Sequence, residues 1–318
     1  MVPTGGETVR DVGEFGLIDQ FTEGLAEDPR VAVGPGDDGA VLTLRGDTVV
    51  STDVLNVGVH FRLDWSEPED IGAKAVAANL ADIEAMGAEP VAVVAALSVP
   101  ADTGSAWVQR LSAGMRTEAA RAGAALVGGD LSSSEQISIA VTALGDLGGR
   151  APVRRGGARA GDVVAMTGRL GWSAAGHFVL ARGFKSPRAL VAAHRVPEVH
   201  YGEGARAARS GATSMIDISD GLLADLAHLA EASGVGFRLS SDAFEIPDPI
   251  RAVAATTGSD PLRFILTGGE DHALVATFDQ VDVPSDWRII GRVSEDPGVL
   301  VDDGPWEGET GAGWTHFR

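Results

Sequence analysis

The sequence predicts an α/β or α+β protein built from two domains that divide near residue 150. Its 318 residues exceed the length of one average domain. Apolar segments with helical spacing alternate along the chain with short strand-like runs, as in proteins with a mixed α/β core. The segment 145–162, "GDLGGRAPVRRGGARAGD", is rich in glycine and arginine and is typical of an interdomain connection. We therefore predict one domain at 1–148 and a second at 149–318.

The first domain is predicted to begin with a helix over residues 14–25, where apolar residues recur at helical spacing. Ser66 is a predicted N-cap for the next helix, "EPEDIGAKAVAANLADIEAMGA", which has an acidic first turn. That helix is apolar almost all round, so we expect it to be buried. A further helix is predicted at 105–122. The predicted strands are "AVLTL", "TVVSTDVL", "PVAVVAALSVP", "AALV" and the alternating "QISIAVTAL".

The second domain is predicted to open with the strand "VVAMTG" and a helix that starts at a glycine, "GWSAAGHFVLARG". Another helix is expected around 202–209. The segment "SMIDISDGLLADLAHLAEASG" predicts a strand, a turn and an amphipathic helix that ends at Gly234. Asp217 and Ser219 are predicted to alternate along that strand and so to share one face. The last segment with a clear pattern, "FILTGGEDHALVATF", predicts two strands around a Gly-Gly turn.

The composition excludes several functional classes. Against 25 Lys and Arg residues stand 45 Asp and Glu, a net charge of -20, which argues against nonspecific binding of nucleic acid. The chain has no cysteine, so it has neither a thiolate metal site nor a cysteine nucleophile. We find no secretory signal and no apolar run near the roughly 18 residues of a membrane span. These features predict a cytoplasmic protein without a membrane or nucleic-acid partner.

Carboxylates recur where predicted strands end or a buried helix begins, next to Gly, Ser or Thr. They are Asp37 and Asp38 in "GPGDDGAV", Asp53 in "STDVL", Asp82 in "NLADIEAMGA", Asp130 in "LVGGD", and Asp217 with Asp220 in "MIDISDGL". Each has a purely structural alternative. Asp53 and Asp130 suit turns, Asp82 could pair with Lys74, and Ser219 or Asp220 could cap the helix that begins near residue 221.

Taken together, these carboxylates predict a polyphosphate site bridged by several Mg²⁺ ions. Strand ends are where α/β proteins place ligand groups, and glycine allows close approach of a phosphate or metal. Mg²⁺ prefers hard oxygen ligands and commonly links carboxylates to substrate phosphates. The Walker pattern and the H-R-D and D-F-G kinase patterns are absent from the sequence. Metal ions would therefore replace the usual phosphate-binding lysine.

Seven segments occur in the order found in the thiamine-monophosphate kinase family, part of the aminoimidazole-ribonucleotide-synthetase-like superfamily. The chain resembles this family from about residue 12 to the "GWTHF" near its C-terminus. The most specific part of the resemblance is "STD-x-L-x-x-GVHF" combined with "N-L-x-D-x-x-A-M-G-A", whereas "GGD" alone carries no weight. The segments are "GEFGLI", "GPGDDGAVL", "STDVLNVGVHF", "NLADIEAMGA", "GGD", "DISDGL" and "LTGGEDHAL".

The resemblance implies a two-domain PurM-like fold. Its N-terminal mixed-sheet domain would bind ATP and form a homodimer, and its C-terminal α/β sandwich domain would complete the substrate and nucleotide site. It also implies transfer of the γ-phosphoryl group of ATP to thiamine monophosphate, the last step in making thiamine diphosphate. Several Mg²⁺ ions per active site belong to this expectation.

The resemblance also assigns residue roles, with no residue acting as a general base. Asp37 is an alternate ligand, and Asp130 and Asp220 are expected to help position the reacting groups. The metal ligands implied are Asp37, Asp38, Ser51, Thr52, Asp53, Asp82, Asp130, Asp217 and Asp220. The ATP contacts implied are Gly129, Asp130, Arg155 and Ser219. The contacts implied for thiamine monophosphate are His60, Glu270 and Trp314.

The chain departs from the family pattern at two places. His272 follows "GGED" where the family often has an aromatic residue, and the two arginines before "GGARAGD" leave open whether Arg154 or Arg155 contacts ATP. Glu270 could simply belong to a reverse turn, and Trp314 could be a packing residue.

The chemistry of the reaction agrees with the carboxylate pattern. Phosphoryl transfer needs in-line positioning and neutralised charge more than covalent help. A phosphate monoester and ATP together carry roughly five or six negative charges at neutral pH. Aspartates hold such anions only through metal ions, with Arg155 adding a fixed positive charge. Because the attacking phosphate oxygen is already largely ionised, we expect direct in-line transfer without a general base.

Three alternatives remain open at this point. The first is a sister enzyme such as selenophosphate synthetase or the aminoimidazole ribonucleotide synthetase, although "GVHF" and "NLADIEAMGA" argue against both. The absence of cysteine argues further against the selenophosphate enzyme. The second is a noncatalytic cation-binding module, which would bind metal without needing ATP. The third is a nucleotide-binding regulator that keeps the site but does not turn over.

Overall fold

A computed structural model describes residues 6–22, 28–36, 38–256 and 258–306 of the chain. The chain divides into two compact units, one formed by 1–83 with 88–150 and the other by 84–87 with 151–318. Each unit has its own mixed α/β structure, which confirms the predicted fold class. Among the described residues, no helix combines the length and the hydrophobicity that crossing a membrane requires.

The first unit contains a four-stranded sheet with helices on one of its faces. The strands β1 and β2 form a separate antiparallel pair. In the first unit and the turn that leaves it, the elements are α1 (Val9–Thr22), β1 (Val31–Val33), β2 (Val41–Leu42), β3 (Thr48–Asn56), α2 (Pro68–Ala85), β4 (Glu89–Val99), α3 (Ser105–Arg121), β5 (Ala125–Ser133) and β6 (Ser138–Asp146). The last residues of α2 and the following turn, 84–87, belong to the second unit.

The four-stranded sheet has the order β3-β6-β4-β5, so β3 and β5 are its two edges. Residues alternate between a covered face and an open face along each strand. On β6 and β4 the covered positions are apolar and buried, as the alternation of "QISIAVTAL" predicts. On the open face of edge strand β3, Val50 is 60% exposed and Val54 is 45% exposed.

Helices α2 and α3 touch through two glycines. A Cβ atom added to Gly72 of α2 would lie 2.1 Å from the carbonyl oxygen of Leu111 on α3. A Cβ added to Gly114 of α3 would lie equally close, 2.1 Å, to the carbonyl oxygen of Glu69 on α2. The main chains of the two helices are therefore in direct contact, and no larger residue fits at either crossing point.

The second unit contains a six-stranded sheet of order β12-β9-β11-β7-β10-β8. The central strands β7 and β10 are buried along their whole length, because apolar clusters cover both faces of the sheet. Its elements are β7 (Val163–Thr167), α4 (Trp172–Ala181), α5 (Arg188–Arg195), α6 (Glu203–Arg209), β8 (Ser214–Asp217), α7 (Leu222–Ser233), β9 (Gly236–Leu239), a 3₁₀ turn (Ser241–Ala243), α8 (Asp248–Ala255), α9 (Leu262–Thr267), β10 (Leu274–Phe278), β11 (Arg288–Ser294) and β12 (Gly298–Val301).

Three local predictions are wrong. The segment "FILTGGEDHALVATF" was expected to form two strands, but its first part is the short helix α9. Ser66 does not cap α2, which begins at Pro68, and Asp70 instead accepts a hydrogen bond from the backbone N–H of Glu67. Ser219 lies beyond the end of β8, so it does not alternate with Asp217 along a strand.

Candidate active site

In the first unit, β3 and α2 bring together three of the predicted metal ligands. The hydroxyl of Ser51 donates a hydrogen bond of 2.5 Å to Oδ2 of Asp82. The backbone N–H of Asp53 donates to Oδ1 of Asn79 at 2.8 Å. Asn79 is itself held by a hydrogen bond from its Nδ2 to the carbonyl oxygen of Ala75. Ser51, Asp53 and Asp82 therefore form one group of oxygen donors on the covered face of the sheet.

Thr52 and Asp130 lie apart from this group. Thr52 faces the open side of the sheet, where its hydroxyl donates to the carbonyl oxygen of Val141 at 3.0 Å. Asp130 is on β5, the opposite edge strand from β3. The strand registers align Asp53 with Val141 and, across the sheet, with Gly129, and Asp130 is the residue after Gly129. Three strand spacings separate the main chains of Asp53 and Asp130 by roughly 14 Å. Within one chain, the two carboxylates therefore do not converge on a single ion.

Gly129 stands where β5 runs close to β4. A Cβ at this position would lie 2.0 Å from the carbonyl oxygen of Ala95, so only glycine fits. Gly129 and the following Asp130 are both exposed. This arrangement leaves main chain and carboxylate accessible side by side, as the predicted ATP contact requires.

The turn after β3 places His60. Its Nδ1 accepts a hydrogen bond of 2.9 Å from the backbone N–H of Asn56, which leaves the ring proton on Nε2. The Nζ of Lys74 on α2 donates to the carbonyl oxygen of His60 at 3.0 Å. Asp38 is exposed in the loop before β2. Asp37 and Trp314 lie outside the described residues.

In the second unit, two loops join at the end of β8. Beyond Asp217, the backbone N–H of Ile218 donates to the carbonyl oxygen of Ala273 at 2.8 Å. The N–H of Glu270 donates to the carbonyl oxygen of Ser219 at 2.8 Å. Glu270 has φ 62° and His272 has φ 52°. Residues other than glycine and asparagine rarely adopt this left-handed backbone conformation. Asp217, Ser219 and Glu270, three of the predicted site residues, are thus neighbours.

Asp220 has two neighbours that the sequence did not single out. The carboxylate of Asp225 accepts hydrogen bonds of 3.1 Å from the backbone N–H groups of Asp220 and Gly221. Asp220, Asp225 and His228 each offer one ligand atom, all within 4.8 Å of one another, so these residues could hold a metal ion. Burial raises the pKa of Asp225 to about 7, and the negative charges of Asp217 and Asp220 act in the same direction. The spacing D-x-x-H within α7 is the only sequence signal that could have found this pair.

A second buried carboxylate follows Glu270. Asp271 accepts hydrogen bonds from the backbone N–H groups of Gly171 at 2.5 Å and of Ser173 at 2.8 Å, at the start of α4. The Nδ1 of His194 lies 3.1 Å from the hydroxyl of Ser173 and 3.5 Å from Oε2 of Glu270. Burial raises the pKa of Asp271 to about 7, although the two N–H donors partly oppose this shift. Glu270 therefore lies next to a buried polar network formed by Asp271, Ser173 and His194.

The raised pKa of Asp271 leads to a prediction about stability. Its ordinary pKa is 3.8, so between about pH 4 and pH 7 the folded chain binds one proton more than the unfolded chain. The contribution of Asp271 to folding is therefore present below pH 4 and is lost as the pH rises through 7. We expect its share of the free energy of unfolding to fall by up to about 1.4 kcal/mol per pH unit in this range.

The measurement is the melting temperature between pH 4 and pH 8, for the wild type and for Asp271→Asn. The asparagine keeps a carbonyl oxygen for one of the two N–H donors but does not titrate, so the pH dependence should become shallower. Identical slopes in both proteins would contradict the assignment of this titration to Asp271.

Arg154 and Arg155, in the segment between β6 and β7, are both exposed. The carbonyl oxygen of Arg154 accepts a backbone hydrogen bond from Met215, and that of Arg155 accepts one from the hydroxyl of Ser233. The main chain here is therefore tied to β8 and α7. Which of the two guanidinium groups contacts ATP stays a prediction.

Comparison with known proteins decides the family. Residues 36–147 match the family described as AIR synthase related protein, N-terminal domain, and residues 159–303 match its C-terminal domain. A thiamine-monophosphate kinase of Mycobacterium tuberculosis is 51% identical over 317 residues, which cover 99% of this chain and 94% of the relative. The chain belongs to the thiamine-monophosphate kinase family.

Other members of the thiamine-monophosphate kinase family agree with this assignment. The enzyme of Corynebacterium glutamicum is 43% identical, covering 91% of this chain and 88% of its own length. The solved structure of AaThiL complexed with AMPPCP and TMP has a TM-score of 0.78 and 34% identity, covering 98% of this chain and 100% of that one. The predicted resemblance is thus confirmed over the whole chain.

Proposed function

We infer that the chain is a kinase that transfers the γ-phosphoryl group of ATP to thiamine monophosphate, giving thiamine diphosphate and ADP. The observation that carries this inference is the 51% identity to a thiamine-monophosphate kinase over nearly the full length of both chains. A relative solved with both an ATP analogue and TMP supports the same pair of substrates. The oxygen-donor groups around Asp53 and Asp217 would provide the metal ligands that such a transfer needs.

We propose Mg²⁺ as the metal at both groups. Most of the side chains there are hard oxygen donors: carboxylates and a hydroxyl in the first unit, and carboxylates beside the borderline imidazole of His228 in the second. Such donors suit Mg²⁺, which neutralises phosphate charge and orients the transferring group when it is bound. Ser51, Asp53 and Asp82 would hold it in the first unit, and Asp217 and Asp220 in the second. Asp37, Asp38, Thr52 and Asp130 also stay proposed ligands, although Thr52 and Asp130 lie apart from the group around Asp53.

In the proposed reaction, an ionised oxygen of the thiamine phosphate attacks the γ-phosphorus in line with the leaving group. A bond from that oxygen to phosphorus forms, and the bond from phosphorus to the bridging oxygen breaks with its electrons going to ADP. No proton has to be removed from the nucleophile, so the chain needs no general base. Gly129, Arg155 and Ser219 would bind ATP, and His60, Glu270 and Trp314 would orient thiamine monophosphate.

The direct test is transfer of labelled γ-phosphate from ATP to thiamine monophosphate in the presence of Mg²⁺. We expect labelled thiamine diphosphate, and none when thiamine monophosphate is replaced by thiamine. A folded protein that binds ATP but labels no thiamine diphosphate would contradict the proposed function.

We also propose that the chain forms a homodimer through the open face of the four-stranded sheet. Val50 and Val54 are exposed there, next to Thr52, and the other face is covered by helices of the same unit. An exposed row of valines on a sheet is typical of an interface, because burial of apolar surface drives association.

A charge on this face is expected to break the dimer. Asp in place of Val50 would bury a carboxylate against apolar surface at the interface, which costs several kcal/mol. We expect wild type to show twice the 32.7 kDa chain mass by light scattering, and Val50→Asp to show the mass of one chain. Val281→Asp is the matched control, since Val281 is 86% exposed but lies in the second unit. A wild type with the mass of a single chain would contradict the proposed dimer.

A further inference from the structure

His272 forms a buried contact with a proposed metal ligand. Its Nδ1–H donates a hydrogen bond of 2.9 Å to Oδ2 of Asp217. The two side chains are only 9% and 5% exposed. His272 stands where the family often has an aromatic residue.

The backbone, more than the choice of rotamer, places the imidazole beside Asp217. His272 has φ 52°, and its N–H donates to the carbonyl oxygen of Ile218 at 2.9 Å. Two residues after His272, Leu274 of β10 is paired with Asp217 of β8. The residue therefore sits in a left-handed conformation that costs about 1 kcal/mol or more for a side chain other than glycine. Such strain is maintained because hydrogen bonds on both sides fix the loop.

The surroundings of Asp217 explain what the imidazole does. Asp217, Asp220 and Asp225 lie close together, since the charges of Asp217 and Asp220 add to burial in raising the pKa of Asp225. Within this group of negative charges, Oδ2 of Asp217 accepts the hydrogen bond from His272. Among the described residues, no side chain or backbone group is found to donate to Oδ1 of Asp217, which leaves that oxygen for a cation. A donor on one oxygen that directs the other towards a metal is a common way of orienting carboxylate ligands.

We propose that His272 is a positioning residue, which holds the carboxylate of Asp217 in the orientation that binds Mg²⁺. The proposal rests on the proposed function, because it takes Asp217 to be a metal ligand. Loss of a partner that orients a ligand typically weakens metal binding by about 10- to 100-fold. The effect should be confined to the ion held by Asp217 and should leave the group around Asp53 unchanged.

Two substitutions separate the hydrogen bond from the packing of the ring. His272→Phe fills similar space but has no donor. His272→Asn places an amide N–H close to the position of Nδ1, and asparagine also tolerates positive φ. His272→Tyr is a second aromatic variant, because the family often has an aromatic residue here. All variants are first compared by melting temperature and near-UV circular dichroism.

The readout is binding of Mn²⁺, followed by electron paramagnetic resonance in the presence of a nonhydrolysable ATP analogue and without turnover. We expect His272→Phe to weaken one class of sites by roughly 10-fold. His272→Asn should stay within about 3-fold of the wild type, since it restores the hydrogen bond. Asp217→Asn should affect the same class of sites as His272→Phe.

The possible outcomes distinguish the role of His272 from the assignment of Asp217 as a metal ligand. Binding by folded His272→Phe or His272→Tyr that equals wild type, while Asp217→Asn binds more weakly, would overturn the role of His272 only. Unchanged binding in Asp217→Asn as well would overturn the assignment of Asp217 as a ligand. Equal losses in His272→Phe and His272→Asn would show that the ring itself, and not its hydrogen bond, is needed, which also contradicts the proposal.

Discussion

Asp53→Asn is expected to reduce kcat/KM for thiamine monophosphate by about 1,000-fold while the protein stays folded. A metal ligand contributes several kcal/mol of charge stabilisation in phosphoryl transfer, and each 1.36 kcal/mol is a factor of ten in rate. The structure explains why folding should survive: the backbone N–H of Asp53, not its carboxylate, makes the hydrogen bond to Asn79. Asparagine keeps the shape of the side chain but loses its charge.

The matched control is Asp47→Asn. Asp47 is exposed and precedes β3, and it belongs to neither group of oxygen donors. We expect this variant to keep kcat/KM within about 2-fold, because surface substitutions usually have small effects. Initial rates at saturating ATP and several Mg²⁺ concentrations make the comparison. An Asp53→Asn enzyme as active as Asp47→Asn would remove Asp53 from the proposed metal ligands.

Glu84→Ala is expected to give the largest loss of stability, about 3 kcal/mol in the free energy of unfolding. Glu84 is fully buried, and its two carboxylate oxygens accept hydrogen bonds from the N–H groups of Gly202 and Gly204 at 2.8 Å and 2.7 Å. Hydrogen bonds to a charged group contribute about 1.5 to 3 kcal/mol each. The carboxylate also lies at the positive end of α6, which favours its charge.

For a unit of this size, 3 kcal/mol corresponds to a decrease in melting temperature of roughly 6 to 12 °C. Glu295→Ala serves as the control, since Glu295 is an exposed residue of a turn. Glu84→Gln should fall between the two, because its amide keeps one acceptor and turns a donor towards the second N–H. A melting temperature of Glu84→Ala that matches the control would contradict the importance of these two hydrogen bonds.

Much of the fold follows from local pattern. The alternation in "QISIAVTAL" predicts β6 because every second residue of that strand is buried. The helix α7 ends at Gly234, as predicted, where φ 69° requires glycine. In contrast, "FILT" was wrongly assigned to a strand, since so short an apolar run does not distinguish a helix from a strand. The fold class was therefore accessible, and this error falls on α9, the shortest of the α-helices in the described part of the chain.

Family motifs named candidate site residues, but the sequence did not predict how they are arranged. Family motifs named Asp53 and Asp130, yet only the sheet order β3-β6-β4-β5 shows that they occupy opposite edges. Strand order depends on contacts between distant segments, which no local pattern reveals. Asp225 was missed because it lies in an amphipathic helix, where a carboxylate every few residues normally faces water. The pairing of His272 with Asp217 likewise depends on the alignment of β8 with β10.

The close approach of α2 and α3 at Gly72 and Gly114 limits how this protein can evolve. Helix α2 carries both Asn79 and Asp82, and its separation from α3 is set by main chain touching main chain. Larger or smaller apolar residues elsewhere in the core can be accommodated by repacking, but a single methyl group at either glycine would push the helices apart. Libraries meant to diversify substrate choice should therefore vary the loops and leave these two codons fixed, since they maintain the spacing of the helix that carries Asn79 and Asp82.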